Sequence, residues 1–160
     1  MNLANVGDDS EEYVTAQVTQ YIVVKFGEEQ YGIDIKYVDN IVRMQHITRV
    51  PKVANYLKGV INLRGEVIPV MSVRLKMYLG EDVETKATRI IILKMERGNI
   101  GILVDEVKEV VNLEEKQIEK VAYDGKEDKS NYFINGIGKY EGGLISLLDL
   151  NAVVLDREMM

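Results

Sequence analysis

The chain has 160 residues, of which 46% are hydrophobic and 29% are charged, a composition typical of a soluble globular protein. A chain of this length buries roughly 70% of its unfolded surface, which suffices for one domain or two small fused ones. The formal charge of −6 disfavours a nucleic-acid partner, and the lack of cysteine excludes disulfides, thiolate catalysis and Cys-ligated zinc.

The N-terminal residues 1–18 are polar and acidic, and they predict a mobile tail. The first 19 residues contain Asp8-Asp9-Ser10-Glu11-Glu12 and lack a basic start and an apolar core, so we expect no signal peptide. No apolar run approaches the ~20 residues that span a bilayer. Together these features predict a cytoplasmic protein.

The first half of the chain predicts two hairpins and one further strand, all rich in β-branched residues: Tyr21–Phe26 with Gln30–Ile35, Val38–Val42, and Gly59–Val70. The second hairpin turns at Arg64-Gly65. Pro69 has no backbone N–H, so we expect its strand to lie at a sheet edge or to carry a bulge.

The second half repeats this order after the polar stretch 80–88, which joins the halves. Its predicted strands are Arg89–Met95 with Asn99–Val104, Val107–Val111, and a hairpin over Gly136–Leu147. The segment Asp149–Asp156 has an N-capping aspartate and apolar residues at helical spacing, which predicts a short closing helix.

The two halves read as copies of one unit. Ile22–Val42 aligns without a gap to Ile91–Val111, and Tyr56–Val73 aligns to Phe133–Leu150. Two matches in the same order indicate a duplication. Each half offers about five short strands in roughly 60–70 residues, the size of an SH3-like barrel. We therefore predict a mainly β protein, with two SH3-like five-stranded β-barrel subdomains and a short C-terminal helix.

The predicted domain covers residues 19–157. Its barrel halves lie at about 19–79 and 88–157, and their terminal elements can exchange between the barrels. Residues 1–18 stay outside this domain as the flexible tail.

A search for chemistry finds no catalytic constellation. His46 is the only histidine, which leaves little for a histidine metal site or a Ser-His pair. The glycines at 136, 138 and 142 align with a hairpin rather than a phosphate loop, and Asp124–Asp128 lacks the ligand pattern of a calcium loop. Carboxylate pairs among the 26 acidic residues keep an enzyme as a low-ranking alternative. We expect no enzymatic activity, no cofactor and no metal.

The turns of the two aligned hairpins differ in charge, with Arg64 in the first half and Glu141 in the second. A tight turn needs only its glycine, so the fold does not demand an arginine here. One interpretation is a solvated cation. The other is a partner contact, because arginine donates a fixed fork of hydrogen bonds and is enriched at interface hot spots.

A different class of function is a small β-barrel that binds single-stranded nucleic acid. Such a protein needs a basic groove with stacking aromatic side chains. The chain has nine tyrosines, but its charge balance is wrong and no basic stripe is present.

At these residues the sequence resembles the CheW family of bacterial chemotaxis coupling proteins. The matching segments are Gly27–Ile35, Lys58–Gly65 running on to Val70, and Gly101–Asp105, within a similarity that covers about residues 20–155. The resemblance implies two SH3-like subdomains and no catalysis. It implies an adaptor between the cytoplasmic tip of methyl-accepting chemoreceptors and the regulatory domain of the histidine kinase CheA. Such a protein associates with membrane receptor arrays through its partners, without membrane insertion or nucleic acid.

The resemblance also implies two sets of contact residues. Three positions lie on the kinase-facing side of the first barrel: Val38, Asn40 and Gly59. Three further positions affect receptor binding near the groove between the barrels: Arg64, Gly101 and Val110.

Two departures from the family pattern qualify these expectations. Asn40 stands where many members have an acidic residue, which puts a charged contact at that position in doubt. Ser72 stands where many members have an aspartate, and we expect it to alter only a local cap or turn.

Overall fold

The computed structural model describes residues 17–123, 125 and 129–154. Of the predicted tail, residues 17 and 18 are described, and Val18 already begins the first strand. The rest of the tail, most of the acidic loop 124–128 and the end of the predicted closing helix lie outside the described residues.

The described residues form strands and short helices. The strands are β1 (Val18–Phe26), β2 (Glu29–Asp34), β3 (Val38–Arg43), β4 (Leu57–Leu63), β5 (Glu66–Ser72), β6 (Arg89–Met95), β7 (Gly98–Val104), β8 (Glu106–Glu114), β9 (Ile118–Lys120), β10 (Ile134–Tyr140) and β11 (Gly143–Leu148). The α-helices are α1 (Val73–Lys76) and α2 (Leu150–Val154), and 3-10 turns cover Ile35–Tyr37, Glu115–Gln117 and Lys129–Phe133. The predicted strands and the short C-terminal helix are therefore present.

The strands build two sheets. The six-stranded sheet has the order β8-β1-β2-β11-β10-β9, and the five-stranded sheet has the order β3-β6-β7-β5-β4. Sequence-adjacent hairpins are antiparallel, while β2 with β11 and β5 with β7 pair in parallel. The predicted fold class, two SH3-like β subdomains, is confirmed, and the six-stranded sheet adds the three-residue strand β9.

Each sheet takes strands from both halves of the sequence. The first hairpin, β1–β2, lies with β8–β11, whereas β6–β7 from the second half lies with β3–β5. Where one folding unit ends and the other begins along the chain stays a prediction.

Several strands bury apolar side chains on both faces. In β6, Ile90 and Ile92 pack inside the five-stranded subdomain, while Ile91 and Leu93 point into a core that both sheets share. In β1, Val23 belongs to the interior of the six-stranded subdomain, and its neighbours on either side belong to the shared core. Because successive side chains alternate between faces, strands covered on both sides read as continuous apolar runs.

The two short helices begin in the same way, as the repeat requires. Ser72 and Asp149 precede α1 and α2, and their backbone N–H groups donate to the carbonyls of Tyr56 and Phe133 at 2.6 and 2.8 Å. The Ser72 hydroxyl accepts from the N–H of Leu75 at 3.1 Å, and Asp149 Oδ1 accepts from an N–H in α2 at 3.1 Å. Serine and aspartate both serve as N-caps here, as predicted for Ser72, but the Ser72 hydroxyl also donates to Asp82, so its effect extends beyond the cap.

The prediction for the Pro69 strand is wrong. Strand β5 lies between β7 and β4, so it is not an edge, and the register shift in its pairing with β4 falls between Leu57 and Gly59 on the partner. Val60, opposite Pro69, exchanges both backbone hydrogen bonds with Thr48 instead, each at 2.8 Å. The pairing of β5 with β7 begins one residue later. Proline is tolerated here because no neighbouring strand requires its missing donor.

A carboxylate joins the two sheets where β7 passes into β8. Asp105 accepts hydrogen bonds from Nε of Arg74 at 3.1 Å, from Nη2 of the same guanidinium, and from the backbone N–H of Gly27 at 2.7 Å. Its own N–H donates to the carbonyl of Lys25 at 3.1 Å. Arg74 lies in α1, which follows the five-stranded sheet, and Gly27 lies in the β1–β2 turn of the other sheet. The bidentate pair thus fixes the two subdomains against each other.

Burial and hydrogen bonding act on this carboxyl in opposite directions. Burial alone raises the pKa of Asp105, but the hydrogen bonds from Arg74 and from the Gly27 N–H outweigh it, and the pKa lies below its ordinary value. The charged form is therefore the one that the fold stabilises.

We expect Asp105→Asn to lower the free energy of unfolding by about 2 kcal/mol at neutral pH, because hydrogen bonds to charged groups contribute about 1.5–3 kcal/mol. Since the folded-state pKa is depressed, the contribution of the carboxylate is present above an unfolded-state pKa of about 3.9 and is lost as the pH falls through the folded-state pKa. Urea unfolding at neutral and acidic pH measures both effects.

The matched control is Asp39→Asn, which removes an exposed carboxylate on β3 that has no hydrogen bond or ion pair in the described part of the chain. The stability gap between wild type and Asp105→Asn should shrink below about pH 4. A gap that stays constant down to pH 2 would contradict the assignment.

Candidate functional site

Two of the predicted kinase-facing residues lie on β3, at one edge of the five-stranded sheet. Val38 is half-buried, pairs with Leu93 and packs against the shared core. Asn40 is half-buried, and its Oδ1 accepts from the N–H of Ile41 at 2.8 Å. Ile41 is 37% exposed. This edge therefore presents the apolar side chain of Ile41 beside the neutral amide of Asn40, whose oxygen already accepts a backbone hydrogen bond.

The third kinase-facing position, Gly59, lies on β4 at the other edge of the same sheet. It is buried with φ of 143°, and a Cβ there would be 2.1 Å from the carbonyl oxygen of Thr48. Thr48 bridges to Val60, so the segment after β3 crosses directly over this glycine. The structure thus brings the three positions onto the two outer strands of one sheet, and it gives Gly59 a packing role.

Arg64 lies at the tip of the β4–β5 hairpin. Its φ is 55°, in the left-handed region, and Gly65 follows with φ of 86°. The N–H of Gly65 donates to Oδ1 of Asn62 at 3.0 Å, which closes the turn. The Arg64 side chain is exposed, and within the described residues it makes no hydrogen bond or ion pair.

The other two predicted receptor-binding positions lie apart. Gly101 is buried in β7, and a Cβ there would lie 2.8 Å from Cγ2 of Ile90, inside the five-stranded subdomain. Val110 lies on β8 in the six-stranded sheet, pairs with Ile22 and is 52% exposed. The Arg64 and Val110 side chains are accessible from outside, whereas Gly101 is buried and allows its strand to pack closely on Ile90.

Exposed apolar residues accompany these positions in both halves of the repeat. Ile41 aligns with Val110, and Val67 aligns with Leu144, with exposed fractions of 37%, 52%, 63% and 61%. Single exposed apolar residues are common. These residues occur at aligned positions of the repeat, and Ile41 and Val67 lie beside Asn40 and the Arg64 turn. We therefore regard Ile41 and Val67 as further contact candidates. The sequence reasoning missed them, although the alignment already showed an apolar residue at both positions of each pair.

The turn aligned with the Arg64 turn has a different surface. Tyr140 precedes Glu141 there, and its hydroxyl lies 3.3 Å from Oε2 of Glu109 on β8 and 3.4 Å from Oε1 of Gln30 on β2. Burial, with the nearby Glu109 carboxylate, raises the pKa of Tyr140. The two hairpin turns therefore differ in charge, with Arg64 in the first and Glu141, near Glu109 of β8, in the second.

The remaining polar contacts serve the fold. Ser72 is fully buried, and its hydroxyl donates to Asp82. Burial raises the pKa of Asp82, and the hydrogen bond from Ser72 offsets only part of this rise. Among the described residues, no three His, Asp or Glu side chains gather in a way that could hold a metal ion. Across the same residues, every helix is too short or too polar to cross a membrane. The arrangement offers surfaces for docking.

The packing at Gly59 predicts a large effect on stability. Gly59→Ala places a Cβ against the Thr48 carbonyl and forces an L-residue into φ of 143°, so we expect a loss of at least about 2 kcal/mol. The matched control is Gly98→Ala, which has a similar φ of 125° and nothing within 4 Å of the added Cβ. Chemical denaturation of both variants measures the difference. Equal losses would mean that the contact with Thr48 contributes nothing.

Comparisons with known proteins agree with this geometry. The profile of a family described as CheW-like domain matches residues 20–158. The chain is 39% identical over 137 residues to the chemotaxis protein CheW of Bacillus subtilis (strain 168), covering 86% of both chains. It is 32% identical over 151 residues to the chemotaxis protein CheW of Helicobacter pylori, covering 94% of this chain and 89% of that one.

The fold is similar to a solved structure. The crystal structure of the scaffolding protein TtCheW from Thermoanaerobacter tengcongensis superimposes with a TM-score of 0.77 at 30% identity, covering 88% of this chain and 90% of that one.

Proposed function

Because the chain belongs to the CheW-like family, we propose that it is a non-enzymatic adaptor of bacterial chemotaxis that couples methyl-accepting chemoreceptors to the histidine kinase CheA. In this proposal it works in the cytoplasm, held at membrane receptor arrays by its partners. One surface binds the regulatory domain of the kinase, and another binds the cytoplasmic tip of the receptor.

The observation that carries this proposal is the state of Arg64. A non-glycine residue in the left-handed region costs about 1 kcal/mol, and glycine would avoid the cost. Within the described residues its guanidinium makes no hydrogen bond or ion pair that would offset this cost. Lys52 and Tyr78 also have positive φ, so the backbone cost alone does not single out Arg64. Its unpaired guanidinium at an exposed hairpin tip supports a contact with another protein, where its fork of donors is used.

The receptor-facing surface uses both subdomains. Arg64 belongs to the five-stranded sheet and Val110 to the six-stranded sheet, so a receptor tip that touches both lies across the two subdomains. Gly101 contributes by keeping its strand closely packed on Ile90. Such contacts are weak one at a time, and an array of many copies raises the effective affinity.

The kinase-facing surface is the outer part of the five-stranded sheet, at Val38, Asn40 and Gly59. The amide of Asn40 is neutral, and its oxygen is occupied by the Ile41 N–H. We therefore assign the contact here to the exposed Ile41 side chain rather than to a charge, with Gly59 holding the crossing segment in place.

Arg64→Ala should weaken binding of a receptor cytoplasmic fragment about tenfold, equivalent to ~1.4 kcal/mol, and leave the melting temperature unchanged because the side chain supports no contact of the fold. The control Arg97→Ala removes an exposed arginine from the β6–β7 turn. Calorimetric titration and thermal unfolding give both quantities. An equal loss of affinity in the control would show a general charge effect, and a lower melting temperature for Arg64→Ala would mean that the residue is structural.

Ile41→Asp should reduce capture of the kinase regulatory domain and leave capture of the receptor fragment unchanged, because it puts a charge into an apolar contact on β3 alone. Pull-down of each partner by purified wild type and variant measures the two interactions. Leu144→Asp, at an exposed position of β11 in the other sheet, is the control and should leave capture of both partners unchanged. If wild type captured neither partner, the proposed function would be discarded.

A further inference from the structure

Two arginines face each other across neighbouring strands. Arg43 on β3 pairs directly with Arg89 on β6. Directly opposed residues have Cβ atoms about 4.5–5.5 Å apart on the same face of the sheet, and like charges there destabilise the pair. In the described part of the chain, neither guanidinium forms an ion pair with a carboxylate. The fold thus holds an unfavourable pair of charges that it does not neutralise itself.

The arginine pair lines one side of a surface depression of about 600 Å³, and the loop 84–88 lines the other. This loop is ordered by its own hydrogen bonds. Thr88 Oγ1 accepts from the N–H of Thr85 at 2.9 Å, and Thr85 Oγ1 accepts from the N–H of Ala87 at 3.0 Å. Each hydroxyl oxygen is used as an acceptor, so its proton remains able to donate to a ligand.

The Arg89 guanidinium is oriented before any ligand arrives. Its Nη1 donates to the carbonyls of Lys86 at 2.9 Å and of Thr88 at 2.8 Å. Among the described residues, its Nε and Nη2 groups have no acceptor, and those two donors form one face of the fork. A guanidinium fixed in this way loses little conformational freedom on binding.

We propose that this depression binds a phosphate monoester dianion. Arg43, Lys86 and Arg89 supply three positive charges and Glu84 one negative charge, which leaves a net charge of +2 at the lining. A phosphate monoester carries about −1.5 to −2 at neutral pH and three acceptor oxygens. The two guanidinium groups and the threonine hydroxyls supply matching donors, and the bound anion relieves the repulsion between the arginines.

The ligand chemistry is shared by a phosphorylated side chain of a partner protein and by a free phosphorylated metabolite. The site adjoins the proposed kinase contact, because Arg43 follows Ile41 by two residues on β3, but none of its lining residues is assigned to the kinase or the receptor above. Its failure would leave the proposed coupling function untouched, and the reverse also holds.

The experiment titrates the full chain with inorganic phosphate and with a phosphoserine peptide, at constant ionic strength set with sodium chloride. Amide NMR shifts and the melting temperature report binding, since a ligand of the folded state stabilises it by mass action. The test variant is Arg43→Gln with Arg89→Gln. The control variant, Lys94→Gln with Arg97→Gln, makes the same charge change at the other end of the β6 hairpin.

We expect the test variant to bind both probes at least tenfold more weakly than wild type, and the control variant to bind them like wild type. Without ligand, the test variant should melt at the same or a higher temperature, because the opposed charges are gone. If the double substitution does not fold, Arg43→Gln alone, at an exposed side chain, gives the same comparison.

Tighter binding of the phosphoserine peptide than of inorganic phosphate would identify a phosphorylated protein as the source. Equal binding would show that the phosphate group alone is recognised, which favours a small metabolite. Equal weakening in the test and control variants would show unspecific charge screening and overturn the proposal. So would an absence of shifts around Arg43 and Arg89 in wild type at tens of millimolar phosphate.

Discussion

The structure depends on one core that both sheets share. Strands β1, β6 and β7 have apolar side chains on both faces, so each sheet would expose a buried-type surface if it stood alone. Ile91 and Leu93 from one sheet belong to the same core as Ile22 and Val24 from the other. The Arg74–Asp105 ion pair adds a polar link between the two sheets. The two subdomains therefore behave as one rigid body, and surfaces on different sheets keep a fixed geometry.

That rigidity explains where contact residues can occur. With inner faces committed to packing, the positions left for partners are the outer strands and the hairpin tips. The residues named from family resemblance divide accordingly, since Arg64 and Val110 are exposed while Gly59 and Gly101 are buried and set the shape of the backbone. Substitutions at the two kinds of position act by different physical routes, through lost contacts or through displaced strands.

Local features of this fold could be predicted from the sequence, and long-range ones could not. Turn glycines and runs of β-branched residues located the hairpins, and a capping aspartate located the last helix. No residue pattern states which strand lies beside which, so the parallel pairing of Val70 with Gly101 was not foreseen. The prediction from Pro69 was wrong for a related reason. The backbone of Val60, opposite Pro69, is hydrogen-bonded to Thr48, and the sequence does not show that Thr48 lies beside that strand. At the site, the charge asymmetry at Arg64 was visible in the sequence, but the backbone strain was not.

The exchange of hairpins between sheets sets an order of events during protein synthesis. Every strand of the five-stranded sheet has left the ribosome once residue 104 has emerged, so that sheet can form early. The hairpin β1–β2 is made first, yet its neighbours β8 and β11 are made later. At about 5–20 residues per second, a hairpin with apolar side chains on both faces waits several seconds for its partners. During that interval the apolar side chains of β1 and β2 lack the strands that cover them in the folded protein.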